Sequence, residues 1–209
     1  NVEHELRAAG VRDLDEIVYF TNEYELGDFG VGGMTCKQGG FVTTSQLWTE
    51  SLFVERDVRS ITRAHPTKIE DGRLYYETLD GVDGVLDFDF AMLLPPFRGV
   101  DLQAFARDGS DISAEVFAPS GFLKVDADYT PKKFDEYKAE DWPSTYQSPA
   151  YPNVFAAGIA FAPPHAISRP RQTPSGAPVA PPPPRTGMPS AMIGKAVARS
   201  IVDMLWGAK

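Results

Sequence analysis

Six glycines crowd between Gly27 and Gly40, and the run Gly30-Val31-Gly32-Gly33 has the residue types of a phosphate-cradling turn. No strand adjoins it and no Gly-Lys-Ser/Thr follows, so the expectation is a flexible loop. Cys36 lies in the same stretch, with Lys37 alone beside it to activate a thiolate, so an incidental thiol is expected. As the sole cysteine it excludes an internal disulfide and a multi-cysteine zinc site. The apolar run Glu16-Ile17-Val18-Tyr19-Phe20-Thr21 ends at Thr21-Asn22-Glu23. An acid at the end of such a strand can reach a ribose hydroxyl in a dinucleotide-binding unit. Without the first strand and its G-x-G-x-x-G turn, an ordinary strand closed by a solvated Glu is the preferred reading. The three histidines, His4, His65 and His165, have no Ser or Cys partner nearby in sequence, and no Gly-x-Ser-x-Gly occurs, which makes a hydrolase the weakest reading. His65, at a turn before Pro66, is expected to be solvated.

The elements that would position these residues follow from periodicity. Residues 1–9 place Val2, Leu6 and Ala9 on one helical face and end at Gly10; with no cap or turn before them, they read like the middle of a longer protein. A buried parallel strand is expected over 16–21. A helix is expected over 41–56, with Leu47, Leu52 and Phe53 as its buried stripe and Thr43 to Ser45 as N-cap candidates. Strands are expected over 58–62, 67–70, 74–79 and 85–94, with Asp71-Gly72 as a hairpin turn and Pro95-Pro96 as a stop. Residues 122–125 read as a short strand, 131–149 as an irregular solvated excursion, and 153–158 as a short buried strand ending at glycine. Ten of the 18 prolines fall in 163–189, a stiff and extended segment. The last element is a helix over 190–206 with Met192, Ile193, Ala196, Val197, Ile201 and Leu205 as a wide stripe, Thr186 as N-cap and Pro189 in its first turn.

The whole chain has 209 residues, 43% hydrophobic and 23% charged, which fits one large domain or two small ones and excludes a disordered chain, a collagen and a coiled coil. The net charge of −9 argues against nucleic acid, whose phosphates call for Lys/Arg clusters. No stretch approaches the roughly 20 apolar residues of a membrane span.

Four stretches, taken in order, resemble the sulfide:quinone oxidoreductase-like flavoproteins, relatives of the pyridine nucleotide-disulfide oxidoreductases. Asn1-Val2-Glu3-His4-Glu5-Leu6-Arg7 resembles the helix after the second dinucleotide glycine turn. Phe88-Asp89-Phe90-Ala91-Met92-Leu93-Leu94-Pro95-Pro96-Phe97 resembles the return strand into the flavin domain. Tyr151-Pro152-Asn153-Val154-Phe155-Ala156-Ala157-Gly158-Ile159-Ala160 resembles the second flavin-contact strand, and Pro184-Arg185-Thr186-Gly187-Met188 the turn before the last helix. The resemblance implies an α/β fold: a partial two-dinucleotide-binding-domain (FAD/NAD(P)-binding, Rossmann-like) flavoprotein lacking the N-terminal FAD glycine-loop unit. It implies a remainder of the second dinucleotide-binding-like domain, with a small antiparallel crossover, at 1–94, and a C-terminal flavin-domain-like region at 95–209.

It further implies FAD as cofactor of the full-length parent, with Gly158, Ile159, Arg185, Thr186, Gly187 and Met188 as cofactor-binding residues. Glycine lets backbone approach a flat ring, and a helix start offers free N–H groups, each worth roughly 1–3 kcal/mol against developing negative charge. Arg185 stands where the family usually has Lys. The position of one family cysteine holds Thr145, which cannot form a persulfide. The expected activity is electron transfer from a reduced donor, sulfide-like or a pyridine nucleotide, through flavin to an acceptor such as quinone. The isolated chain, without both glycine turns, is expected to bind FAD poorly and to be inactive, and self-association is expected to cover its apolar edges. The expected location is cytoplasmic, with peripheral contact to the inner membrane open through Ile201, Met204, Leu205 and Trp206. The competing reading is a non-enzymatic α/β interaction module whose segment 163–184 docks in aromatic-lined grooves.

Overall fold

The computed structural model describes residues 1–183 and 186–207, apart from the side chain of Gln38. The described chain forms two units, one of residues 1–92 and 166–183, the other of 93–165 with the last helix.

The first unit begins with helix α1 (Val2–Ala8). Buried Glu3 ties α1 to Arg56 at 2.9 Å, and Arg12 donates to the carbonyls of Arg56 and Asp57 at 2.9 and 2.6 Å. Strand β1 (Ile17–Phe20) follows, rich in β-branched and aromatic side chains. The glycine-rich stretch then contributes a hairpin, β2 (Thr35–Gln38) and β3 (Phe41–Thr44), turned by Gly39-Gly40 with both φ angles positive. Helix α2 (Ser45–Glu55) starts at Thr44, whose hydroxyl accepts from Leu47 N at 3.2 Å. The helix expected over 41–56 is therefore a strand and a shorter helix: Phe41 and Val42 pair across the glycine turn before the cap. Leu47 is exposed; Leu52 and Phe53 are half-buried, and Phe53 meets Tyr19 edge-on at 5.5 Å. Strand β4 (Val58–Ile61) returns parallel to β1, so β1, α2 and β4 form a crossover unit.

Strands β5 (Ala64–Glu70), β6 (Arg73–Thr78) and β7 (Asp83–Asp87) form an antiparallel sheet in the order 5-6-7. The expected strand over 85–94 ends at Asp87, and the remaining apolar residues to Leu94 find no strand partner among the described residues. An apolar run is compatible with a strand, but a ladder also needs an edge to join.

The proline-rich segment is a strap on this unit. Its two short strands, β8 (Arg171–Gln172) and β9 (Pro178–Val179), pair antiparallel. Val179 and Pro181 are fully buried, Tyr24 Oη donates to Val179 O at 2.9 Å, and His65 Nδ1 lies 2.8 Å from Pro178 O. His65 is thus a strand residue held by the strap, not a solvated turn residue.

In the second unit the regular elements are short apart from the last. Helix α3 (Ser113–Val116) precedes a core of Val125, Ala156 and Phe161, on which Leu123, Trp142, Tyr146 and Ile193 pack. Single β-bridges join Leu123 to Phe161 and Gln147 to Phe155. The stretch 131–149 is irregular and exposed over 131–140, as expected, but 141–148 is packed on the core. Trp142 and Tyr146 meet Phe161 edge-on at 6.1 and 5.2 Å, and Lys132 bridges Asp128 and Asp141 at 2.6 Å each. Helix α4 (Gly187–Trp206) closes the chain. Val197 is its buried residue, whereas Met192 and Leu205, expected in the buried stripe, are exposed. No helix among the described residues is long and apolar enough to cross a membrane.

Candidate functional site

Of the residues that the resemblance marks, those described lie around the start of α4. The chain runs extended through Val154 and Phe155, and Ala156 N donates to Tyr146 O at 2.9 Å. It then turns sharply at Gly158, whose φ is +65°, into a single 3-10 turn, Gly158–Ala160. A side chain there would be strained by that backbone conformation. Space is not the constraint: a Cβ on Gly158 would stand 3.5 Å from Ser190 Cβ, an ordinary contact. Ser190 is in the first turn of α4, so the Gly158 turn and the helix start are packed together. Leu123 N donates to Ala160 O at 2.9 Å and fixes the far side of the turn.

Thr186 is the N-cap residue of α4, as expected, with extended backbone. Its side chain makes no cap hydrogen bond. Its carbonyl accepts from Ser190 N at 3.2 Å, and Pro189 carries no N–H. The first amides, Gly187 and Met188, are those that a regular helix leaves without an intrahelical partner. Met188 and Ile159 expose apolar surface, Met188 to 64%. The structure therefore brings Gly158 and Ile159 to the same helix start as Thr186, Gly187 and Met188. Arg185 lies outside the described residues.

Thr145, which the resemblance sets at the position of a family cysteine, is held in a turn. Its amide donates to Asp126 Oδ2 at 2.8 Å, Ser144 N and Oγ donate to the same oxygen at 3.1 and 3.0 Å, and its hydroxyl accepts from Gln147 N at 3.3 Å. Burial pushes the Asp126 carboxyl up, but donation from Thr145 and Ser144 outweighs it and holds the group below the ordinary carboxylate range. The other oxygen, Oδ1, is buried without a hydrogen-bond partner among the described residues. Tyr146 next to this turn has a φ of +58°, an uncommon conformation for a non-glycine residue. Sequence reasoning missed Asp126 and Ser190. Ser190 sits one helical turn after Thr186, a signal that the capping pattern could have given. Asp126 carried no local signal.

The other sequence candidates are structural. Glu23 is buried, not solvated: Phe29 N and Tyr19 Oη donate to its two oxygens at 2.8 and 3.2 Å. Burial raises its pKa, against the donors that lower it. The glycine loop is clamped, not flexible. Buried Ser45 donates to Gly27 O at 2.7 Å and accepts from Met34 N at 2.8 Å, while Asp28 accepts from Gly32 N at 2.8 Å. Cys36 lies in β2 opposite Thr43 with a free thiol. Among the described residues no group of three or more His, Cys, Asp or Glu is placed to hold a metal.

The α/β arrangement is that of a solved enzyme, the sulfide:quinone oxidoreductase of the hyperthermophilic bacterium Aquifex aeolicus, with a TM-score of 0.65 and 26% identity over 98% of this chain and 39% of that one. In sequence, this chain is 28% identical over 200 residues to the sulfide-quinone reductase of Aquifex aeolicus (strain VF5), covering 96% of this chain and 38% of the relative. No family model matches. The resemblance drawn from the four stretches is borne out over nearly the whole chain, which spans about two fifths of the length of the curated relative.

Proposed function

We propose that the chain is part of an FAD-dependent oxidoreductase that passes electrons from a reduced donor through flavin to an acceptor such as quinone. The observation that carries this reading is the packing of the Gly158 turn on the first turn of α4, in a chain similar throughout to a sulfide-quinone reductase. The residues fit the edge of a flavin. Gly158 puts backbone, not side chain, at the surface of the turn; Gly187 and Met188 offer amide donors of the kind the carbonyl-bearing pyrimidine edge accepts; Ile159 and Met188 offer apolar surface for the ring. Bound there, flavin would supply the acceptance and release of two electrons.

The chain's own residues bind and orient. The amides and dipole of α4 favour negative charge at its N-terminus, and Arg185 would add a cation. Thr145 keeps the adjoining turn in place through Asp126 but has no sulfur, which favours a pyridine nucleotide or another reduced donor over persulfide chemistry at this residue. In this reading residues 1–94 are the remainder of a second dinucleotide-binding-like domain and 95–209 a flavin-domain-like region. The crossover β1-α2-β4 supports the former. Residues 1–209 alone lack both glycine turns, so flavin affinity and turnover belong to the full-length parent. Exposed Met204, Leu205 and Trp206 at the end of α4 support peripheral membrane contact, through which a lipid quinone would be reached.

The test is the absorption spectrum of the purified product of the uninterrupted reading frame that contains these residues. A flavin band with stoichiometric FAD released on denaturation is expected; a folded, colourless product refutes the reading.

A further inference from the structure

Asp126 differs from the carboxylates near it in sequence. Asp128 and Asp141 share Lys132 at 2.6 Å each, whereas none of the ion pairs among the described residues includes Asp126. Its charge is held by dipoles alone. Ser144 N and Oγ and Thr145 N reach Oδ2, and Oδ1 is buried with no hydrogen-bond partner among the described residues. Because no cation cancels this charge, its field extends to the groups around it. Two phenols register it: burial raises the pKa values of Tyr129 and Tyr146, and the Asp126 charge adds to the rise in both. The charge is also built in beside the Gly158 turn. A β-bridge pairs Gln147 with Phe155, Ser148 N donates to Val154 O at 2.8 Å, and Ala156 N donates to Tyr146 O at 2.9 Å. The same antiparallel register sets Thr145 opposite Ala157, the residue before Gly158. The carboxylate that accepts from the Thr145 amide at 2.8 Å is therefore one residue pair away from the turn.

We propose that Asp126 is a specificity-determining residue: its uncompensated charge beside the Gly158 turn selects against anionic donors, such as hydrosulfide or a thiolate, and favours a donor whose reacting group arrives uncharged and leaves as a cation. The inference rests on the flavin reading and adds to it the charge of the donor. Like charges in a partly buried site repel more strongly than in water, because less solvent screens them. Discrimination of this kind works by a repulsive element against the wrong ligand as much as by attraction to the right one. A dihydronicotinamide ring has the favoured chemistry. It is uncharged, and on giving a hydride (one proton with two electrons) to flavin it becomes a pyridinium cation, which a nearby carboxylate stabilises.

The test places a charge probe in the full-length protein by Thr145→Cys. Alkylation by iodoacetamide, itself uncharged, is followed against pH by mass spectrometry of the peptide that carries position 145, so Cys36 does not contribute. The thiolate is the reactive form, and the midpoint is expected above the ordinary thiol value of about 8.5. Adding Asp126→Asn should lower that midpoint by about one pH unit, which is about tenfold more thiolate at neutral pH. Adding Ser144→Ala instead removes a donor from the same turn but keeps the charge, and should not lower the midpoint; this separates a charge effect from a loosened turn. In the protein without the probe, flavin reduction by hydrosulfide is compared with reduction by N-methyl-dihydronicotinamide. Asp126→Asn should raise the first rate relative to the second by about tenfold. A midpoint unmoved by Asp126→Asn, a midpoint lowered equally by Ser144→Ala, or an unchanged ratio of the two rates would each overturn the inference. The thiol measurement uses no flavin, so a probe that responds to Asp126 in a colourless protein would leave the charge assigned and count against the proposed function alone.

Discussion

The glycine loop of the first unit gives a prediction with its own control. Gly30 and Gly32 both have positive φ, +68° and +76°. A Cβ on Gly32 meets nothing within 4 Å; one on Gly30 would stand 1.8 Å from Pro182 O and 2.5 Å from its carbonyl carbon. Each Gly→Ala substitution carries the left-handed backbone cost of about 1–2 kcal/mol. Gly30→Ala must in addition push away the strap at Pro182, adding about 1–3 kcal/mol as overpacking does. The expected losses are therefore about 1–2 kcal/mol for Gly32→Ala and about 2–5 kcal/mol for Gly30→Ala. Urea unfolding measures both, and limited proteolysis within 166–183 shows whether the strap has lifted. If the two variants agree within about 0.5 kcal/mol, the close packing of strap on loop is refuted.

Other outcomes follow from the same contacts. Gly158→Ala should cost about 1–2 kcal/mol from its φ alone, because its Cβ meets Ser190 at an ordinary 3.5 Å; a loss above about 3 kcal/mol in thermal unfolding would mean that the turn is tighter than described. Asp126→Asn should cost roughly 1–3 kcal/mol at neutral pH by weakening the turn at Ser144 and Thr145. Because the Asp126 pKa is lowered on folding, its contribution is present above the unfolded carboxyl value and is lost as pH falls through the folded one; the variant should flatten the acid side of the stability–pH curve. Glu23 has the opposite sign: its pKa is raised by burial, so the protein loses stability as pH rises from the unfolded carboxyl value through the folded one. Glu23→Gln, which keeps an acceptor for Phe29 N, should remove that loss; denaturation midpoints unchanged in pH dependence would contradict it.

Much of the first unit was legible in the sequence because its signals are local. The β-branched and aromatic run Ile17-Val18-Tyr19-Phe20, the turn Asp71-Gly72 and the apolar, aromatic run Leu74-Tyr75-Tyr76 favour strands by local composition. What could not be read were partners distant in sequence. The glycines of 27–33 look like slack until Pro182 and Ser45 are known to press on them, and Glu23 looks solvated until Phe29 N and Tyr19 Oη are placed around it. The run 88–94 has strand composition, but composition does not supply an edge. At the candidate site, Thr186 as N-cap and Gly158 as the end of an extended run were legible from residue type. Ser190 and Asp126 were not read because their roles come from contacts that the fold makes: Ser190 against a turn 32 positions earlier, Asp126 against a turn 18 positions later.

The proposed function rests on flavin lying against the Gly158 turn and the start of α4. Amide exchange of the full-length protein with and without FAD tests it directly. Slowing by at least about tenfold on adding FAD is expected, concentrated in peptides covering 156–160 and 186–190, with the sheet β5-β6-β7 unaffected. FAD binding that leaves both segments at their apo exchange rates would contradict it.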